Sequence, residues 1–276
     1  MDSPADSARN NLAAKDRAIK RAINRFDFPA APRATILGKR VLQNLSRVFH
    51  LITFYRAERA TMVGRAGRVS HHHSDILRAA VVLLHATLED GLRSLLWHLL
   101  PRSPETLSEI GLVGLNNHGR PEKFHLGELC RFRGKRVEEL FEESISAYLQ
   151  RESYNNVGDV VRTLKTIGFD PAKHATQLKL ISALIQRRHK IVHNADIDES
   201  RGAGHQFTRS IKVSDVEKWT EAVNILLRDA CSYFGAIEQM GSRPSGDVSK
   251  NVPKRVRKRA QGEAAMGPGE SHGVTS

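Results

Sequence analysis

The sequence predicts an all-α fold, and three observations support this prediction. Hydrophobic residues recur every three or four positions in almost every segment, which is the periodicity of amphipathic helices rather than of strands. Prolines, glycines and short polar stretches separate these segments. The 276 residues are 40% hydrophobic, which is enough for a buried core without a disulfide or metal.

The N-terminal region contains the first two predicted helices. Residues 7–26 are charged and rich in alanine, and Pro29 and Pro32 end this segment. A second helix is expected from Ile36 to Met62, followed by a basic, glycine-containing loop at 64–68. We expect residues 1–33 to form a basic arm and residues 34–240 to form a helical domain.

The third predicted helix is the most apolar and should lie in the core. Ser74 is its expected cap, and Pro101 and Pro104 close it. Its hydrophobic residues have three-and-four spacing: Leu77, Val81, Leu84, Leu88, Leu92, Leu95 and Leu99. Its polar residues lie four or seven apart and can pair with one another: Arg78, His85, Glu89 and Arg93.

Four further elements complete the predicted domain after a loop at 111–123. Helices are expected near 134–152 and 156–167, the second ended by Gly168, and a third at 172–195 begins with Asp170-Pro171 as cap and first turn. Ser214 and Glu217 match a capping box that opens a last helix at 215–240. Residues 241–276 contain too little apolar side chain to fold alone, so we expect a disordered tail.

The net charge of +13 is concentrated at the two ends of the chain. Residues 1–70 contain 14 Lys/Arg and 5 Asp/Glu and residues 241–276 contain 7 and 3, whereas residues 71–240 contain 22 of each. Basic ends attract polyanions such as nucleic acid, although improved solubility explains them equally well. Five tail residues are candidates for non-specific RNA contacts or, in a eukaryote, a localisation signal: Lys254, Arg255, Arg257, Lys258 and Arg259.

The chain is expected to be a cytoplasmic protein without a membrane segment. Its N-terminus has no apolar stretch typical of a secretory signal, and charged residues interrupt the apolar segment from Ile76 to Leu100. Cys130 and Cys231 are too few for a disulfide or zinc framework, so both should be reduced.

Arg188 has an unusual position in the helix predicted at 172–195. At about 100° per residue it lies within about 20° of Ile181, in the middle of an apolar stripe with Leu184, Ile185 and Val192. Arg187 and Lys190 point away, as solvated charges do. A guanidinium at the centre of a packing face needs a partner. That partner is either a core carboxylate such as Glu89 or Asp90, or a bound anion.

The segment LIQRRHKIVHNAD around this arginine has an R-x4-H spacing formed by Arg188 and His193. It resembles the HEPN superfamily, especially its RiboL-PSP branch and a related MAE-type branch. LLHATLEDGLRSLLW and SYNNVGDVVRTLKTIGF resemble the segments that precede the motif helix in that family. The resemblance covers residues 74–240 and implies an all-α, HEPN-like helical bundle to which the N-terminal helices are added.

The resemblance also implies a function. HEPN ribonucleases of toxin–antitoxin and phage-defence systems cut RNA without a metal or other cofactor, leaving a 2′,3′-cyclic phosphate. Carried over, Arg188 stabilises the phosphoryl oxygens and His193 moves a proton. His189 and Asn194 are further catalytic candidates, and Arg187 and Lys190 are candidate RNA contacts.

The implied partners are RNA, a second copy of the chain and an antitoxin or inhibitor protein. Arg188 and His193 lie about 140° apart on one helix, so a two-fold dimer that pairs two motif helices suits the chemistry.

Two alternatives remain. His189 and His193 have a zinc-binding spacing but lack a clear third ligand. His71, His72 and His73 form a cluster that can bind metal adventitiously, and we expect it to be a solvated loop. Many such bundles also bind RNA or proteins without cutting anything.

Overall fold

A computed structural model describes residues 31–61, 71–102, 104–108, 110–113, 126–197 and 208–241, with Asn10 and Ala14 as isolated positions. The described part of the chain is helical and contains no strand, which confirms the all-α prediction. A single isolated β-bridge joins Ile197 and Thr208 there. The helix expected at 7–26, the loop at 64–68 and the basic tail lie outside the described residues.

Six helices of ten residues or more form the described bundle: α1 (Pro32–Thr61), α2 (His71–Leu99), α3 (Val137–Arg151), α4 (Val157–Thr166), α5 (Ala175–His193) and α6 (Val213–Gly241). Short helical turns lie between them at Leu100–Arg102, Pro104–Leu107, Leu126–Phe132 and Pro171–His174. No helix within the described ranges is both long enough and apolar enough to cross a bilayer.

Helix α2 lies at the centre of the bundle and packs against α1, α3, α4, α5 and α6. Its seven predicted core residues are all buried, as expected. Helix α6 approaches α2 closely at Gly91, where an added Cβ would lie 2.9 Å from both δ-carbons of Leu227. Only glycine therefore fits this crossing without moving the leucine.

Two helices begin earlier than their expected caps. Helix α2 starts at His71 rather than after Ser74, and α6 starts at Val213 rather than at Asp215. The loop expected at His71–His73 is wrong because His73 is 12% exposed and faces Glu58 of α1 across 3.8 Å, which holds the first turn against the bundle. Ser74 instead accepts a hydrogen bond from Arg78, four residues later.

The connection between α4 and α5 contains the helix-ending glycine and the aspartate cap that the sequence predicts. Gly168 has a φ of +77°, a left-handed conformation that suits glycine at a helix end, and its N–H donates to Lys165. Asp170 then accepts a hydrogen bond from the N–H of Ala172 and caps the short turn at Pro171–His174. This turn leads directly into α5, which carries the candidate site.

Glu238 of α6 closes the bundle by capping α1. It is 6% exposed, and its two carboxylate oxygens accept hydrogen bonds from the N–H groups of Arg33 and Ala34 at 3.2 and 3.0 Å. The first turn of α1 has no acidic residue of its own. A distant part of the chain thus supplies the negative charge that a helix N-terminus favours.

Glu238→Gln is therefore expected to lower the free energy of unfolding by about 1–3 kcal/mol, because the amide has one acceptor oxygen fewer and turns its NH₂ toward one of the two N–H donors. Glu221→Gln is the matched control, since Glu221 is exposed on the same helix. It should change stability by less than about 0.5 kcal/mol. Urea denaturation followed by circular dichroism measures both, and equal values for the two variants would contradict the capping role.

Candidate functional site

The last two turns of α5 carry three of the four catalytic candidates, Arg188, His189 and His193. The fourth, Asn194, follows the helix directly. Arg188 is partly buried, whereas His189 and His193 are exposed. His193 is the last residue of the helix, and Asn194 is its exposed C-cap, whose N–H donates to the carbonyl of Lys190 at 3.1 Å. The motif thus ends where the helix opens into a loop.

Arg187, directly before Arg188, belongs to a buried ion network. Its Nη2 lies 2.6 Å from Oδ2 of Asp196, and Nε of Arg78 lies 2.7 Å from the same oxygen. The Asp196 side chain is completely buried. Arg78 and Arg187 also donate to the carbonyl of Arg209, so the network ties α2, α5 and the segment before α6 together.

The chain must turn sharply after α5 to bring Asp196 to these arginines. Ala195 and Asp196 have φ values of 47° and 58°, the left-handed conformation that non-glycine residues rarely adopt. The N–H of Asp196 donates to Lys190, and its carbonyl accepts from the N–H of Arg209 at 2.9 Å. Backbone hydrogen bonds and the two arginines together hold this turn in place.

The interpretation of Arg187 as a solvated charge is therefore wrong, although Lys190 is exposed as expected. The side chain of Arg187 is only 13% exposed because Asp196 and the backbone of Arg209 and Ser210 contact it on that face of the helix. Burial lowers the pKa of Arg187, while Asp196 opposes the shift. Helical spacing alone did not reveal Asp196 as its partner, because the partner lies beyond the helix end.

Arg188 lies about 100° around α5 from Arg187 and is close enough to His85 of α2 for its charge to lower the pKa of that histidine. The sequence predicts Glu89 or Asp90 as the structural partner of Arg188, and neither carboxylate pairs with it. Asp90 instead binds Arg40 and Asn44 of α1, and the Glu89 carboxylate lies 3.9 Å from Nδ1 of His85. Within the described ranges, Arg188 makes no hydrogen bond or ion pair.

His85 is the buried neighbour of this unpaired arginine. It is 1% exposed, and its Nε2 lies 3.0 Å from the carbonyl oxygen of Tyr154. Burial lowers the pKa of His85, and the positive charges of Arg188 and Arg93 add to this effect, whereas the Tyr154 carbonyl and Glu89 oppose it. A neutral imidazole is therefore the favoured form beside Arg188.

The buried His85 predicts a loss of stability in mild acid. Its pKa is below 6.5 in the folded chain, so the unfolded chain binds the proton more readily as the pH falls through 6.5. Stability present above pH 6.5 should decline toward pH 5, and thermal unfolding over this range measures it. His98 should contribute to this pH dependence in the same direction, because burial also lowers its pKa. His85→Gln should reduce the pH dependence, and an unchanged slope would contradict this assignment.

The remaining polar residues of α2 do not pair with one another as expected. Arg93 donates to the carbonyl of Glu152 at 2.8 Å, and its guanidinium lies 5.8 Å from the ring centre of Tyr154. Burial raises the pKa of Tyr154 to about 12, so this phenol stays protonated. The contact between His85 and Glu89 is the one part of the predicted stripe that forms among the described residues.

The two motif histidines lie side by side on the surface. The ring centres of His189 and His193 are 4.5 Å apart, one turn apart along α5. No group of three metal-ligating side chains occurs in the part of the chain that the structure describes. Among the described residues, α5 thus presents one exposed histidine pair and, on a different face, one arginine that makes no ion pair with them.

Comparisons with known proteins found no match. No family model matches the chain, and no curated protein and no solved structure is significantly similar to it.

Proposed function

We propose that this chain is a metal-independent endoribonuclease of the HEPN type, acting in a toxin–antitoxin or phage-defence system. The observation that carries the proposal is the contrast between two adjacent arginines. Arg187 is neutralised by Asp196, whereas Arg188 is partly buried and makes no ion pair within the described ranges. A guanidinium without a counter-ion beside a surface is suited to bind a phosphate.

The proposed reaction needs two proton transfers and one positive charge. The 2′-hydroxyl of a nucleotide attacks the adjacent phosphorus, loses its proton, and displaces the 5′-oxygen of the next nucleotide, which gains a proton. His193 is exposed to solvent and carries one of these protons, and the exposed His189 beside it carries the other. Arg188 stabilises the negative charge on the phosphoryl oxygens. The products are a 2′,3′-cyclic phosphate and a 5′-hydroxyl.

A homodimer would bring these two groups together. Arg188 and His193 point about 140° apart on α5, so a second copy is needed to place both at one phosphate. One exposed apolar side chain beside the motif supports an interface there. Val192, one turn after Arg188 on α5, is 48% exposed. Pairing of two α5 helices in a dimer would cover it.

The divergence of Arg188 and His193 also favours a second candidate function. In a monomer the two groups cannot act on the same phosphate, but Arg188 can still bind one. A non-catalytic RNA-binding module is therefore the alternative, and a stable monomer with RNA affinity but no cleavage would identify it.

His193→Ala tests the proposal most directly. The wild-type chain is incubated in EDTA with total RNA and one defined tRNA, and the product ends are analysed. We expect cleavage with cyclic-phosphate ends, reduced at least about 100-fold in His193→Ala because one proton carrier is lost. The control is His50→Ala, which removes an exposed histidine of α1 and should leave cleavage unchanged. Equal cleavage by all three proteins, or none by a folded dimer, would refute the proposal.

A further inference from the structure

A groove of about 410 Å³ lies where the end of α2 meets α3 and the start of α1. Its apolar wall consists of Trp97, Pro101, Phe141 and Ile145. Phe141 is 47% exposed, although phenylalanine is among the residues most often buried. The volume lies in the range of pockets that enclose a small ligand, so the groove can also accept an aromatic side chain of a partner.

Helix α3 continues this apolar surface beyond the groove. Val137, Phe141 and Ile145 are four residues apart, so they lie along one stripe of the helix. Their exposed fraction falls from 62% at Val137 through 47% at Phe141 to 2% at Ile145. The stripe thus leads from the core at Ile145 out to two large apolar side chains on the surface. Exposed apolar side chains that lie together mark interaction sites.

Four charged side chains line the groove around this apolar wall. Arg33 and Arg102 are positive, and Glu138 and Glu142, one turn apart on α3, are negative. All four are exposed, and none forms an ion pair with any residue that the structure describes. The lining therefore has two charges of each sign and favours neither a polyanion nor a polycation.

The two signs lie on different sides of the groove. Burial lowers the pKa of His98, and the positive charges of Arg33 and Arg102 add to this effect, whereas Glu238 opposes it. The two glutamates of α3 are not among the charges that act on this histidine. The groove thus has a basic side at His98 and an acidic side along α3. Within one copy of the chain these opposite charges do not meet.

A partner for this surface must carry both signs. A nucleic acid or an acidic peptide would be attracted by the basic side and repelled by the acidic side. A second copy of the chain, related by a two-fold axis, presents the same groups in reversed order. The acidic side of each copy then faces the basic side of the other. Aromatic and arginine side chains at an apolar centre with a charged rim are also typical of protein interfaces.

We infer that this groove is an interface between two copies of the chain, in which Phe141 of each copy enters the groove of the other and Glu142 pairs with the partner's Arg102. The interface is separate from the pairing of two α5 helices proposed above. Arg78, which shares Asp196 with Arg187 of α5, and Trp97 are about 29 Å apart along the axis of α2.

The test measures self-association of the full chain by sedimentation velocity over a range of concentrations. Arg102→Glu and Glu142→Arg should each weaken association at least about tenfold, because each variant places like charges opposite one another at two symmetric contacts. Arg151→Glu is the matched control. Arg151 is exposed on α3 outside the groove, and the same change of charge there should alter association less than about twofold.

Combining the two substitutions gives the sharpest comparison. An equimolar mixture of the Arg102→Glu and Glu142→Arg chains should restore association, because both contacts of the mixed dimer then join opposite charges. The double variant should restore it for the same reason, which also shows that neither substitution prevents folding. Equal association of all these proteins, or a loss that neither the mixture nor the double variant restores, would overturn the inference.

Trp97 provides an independent readout because the chain has only two tryptophans. In a Trp219→Phe background, the emission of Trp97 should shift to shorter wavelength as the protein concentration rises, because apolar groups of the second copy replace water in the groove. Phe141→Ala should move this shift to higher concentration. Emission that is independent of concentration would contradict the interface.

The groove interface and the ribonuclease can fail separately. A dimer whose association ignores the charges at Arg102 and Glu142, with cleavage that depends on His193, would refute the groove interface and retain the ribonuclease. Association that follows these charges in a chain that cleaves no RNA would do the reverse.

Discussion

Replacing Asp196 with alanine is expected to lower the free energy of unfolding by about 3–5 kcal/mol. The completely buried carboxylate bridges Arg78 and Arg187, both of which contact its Oδ2 within 2.7 Å. Without it, two largely buried guanidinium groups lie close together, and the described carboxylate that remains in contact with them is the exposed Asp75, which pairs with Arg78 alone. The left-handed turn at Ala195 and Asp196 would also lose the contact that holds it against α5.

Asp75→Ala is the matched control for this effect. Asp75 contacts the same arginine, Arg78, at 2.9 Å, but its side chain is 60% exposed. Solvent screens this ion pair, so its loss should cost less than about 1 kcal/mol. Thermal and urea denaturation of both variants separates the two cases. If Asp196→Ala and Asp75→Ala were equally stable, the buried network would not hold the loop after α5.

The sequence predicts the fold well because helical periodicity is a local property. The seven apolar residues of α2 that repeat at three-and-four spacing are all buried. Gly168 and Asp170 mark the connection between α4 and α5 through their own backbone preferences. The expected caps Ser74 and Ser214 are wrong because both residues lie inside their helices, which begin at His71 and Val213. In α2, His73 of the added turn lies against α1, a contact between distant residues that local sequence does not reveal.

The candidate site is less accessible to sequence reasoning because its contacts connect distant residues. The angular position of Arg188 correctly indicates a partly buried arginine near α2, but its expected partner Asp90 binds α1 instead. Arg187 looks solvated on the helix and is buried where Asp196 and Arg209 contact it. A pair 118 residues apart, Arg78 and Asp196, has no periodic signature at all. These long-range contacts distinguish the two adjacent arginines, and helical spacing does not predict them.

This difference between the two arginines leads to opposite expectations for their substitution by glutamine. Arg188→Gln should reduce RNA cleavage at least about 100-fold, because a neutral amide no longer stabilises the phosphoryl oxygens, as happens when a single such donor is removed in other enzymes. Its stability should change by less than about 1 kcal/mol, since Arg188 makes no ion pair within the described ranges.

Arg187→Gln should instead destabilise the chain by about 1.5–3 kcal/mol, since Asp196 loses a charged hydrogen-bond donor. Its cleavage rate at low temperature, where the variant stays folded, should fall far less than that of Arg188→Gln. Cleavage rates and unfolding curves of the two variants, measured on the same preparations, give a two-by-two comparison. A reversed result, with Arg188 controlling stability and Arg187 controlling cleavage, would mean that the anion site lies on the Asp196 side of α5 and that the R-x4-H spacing is incidental.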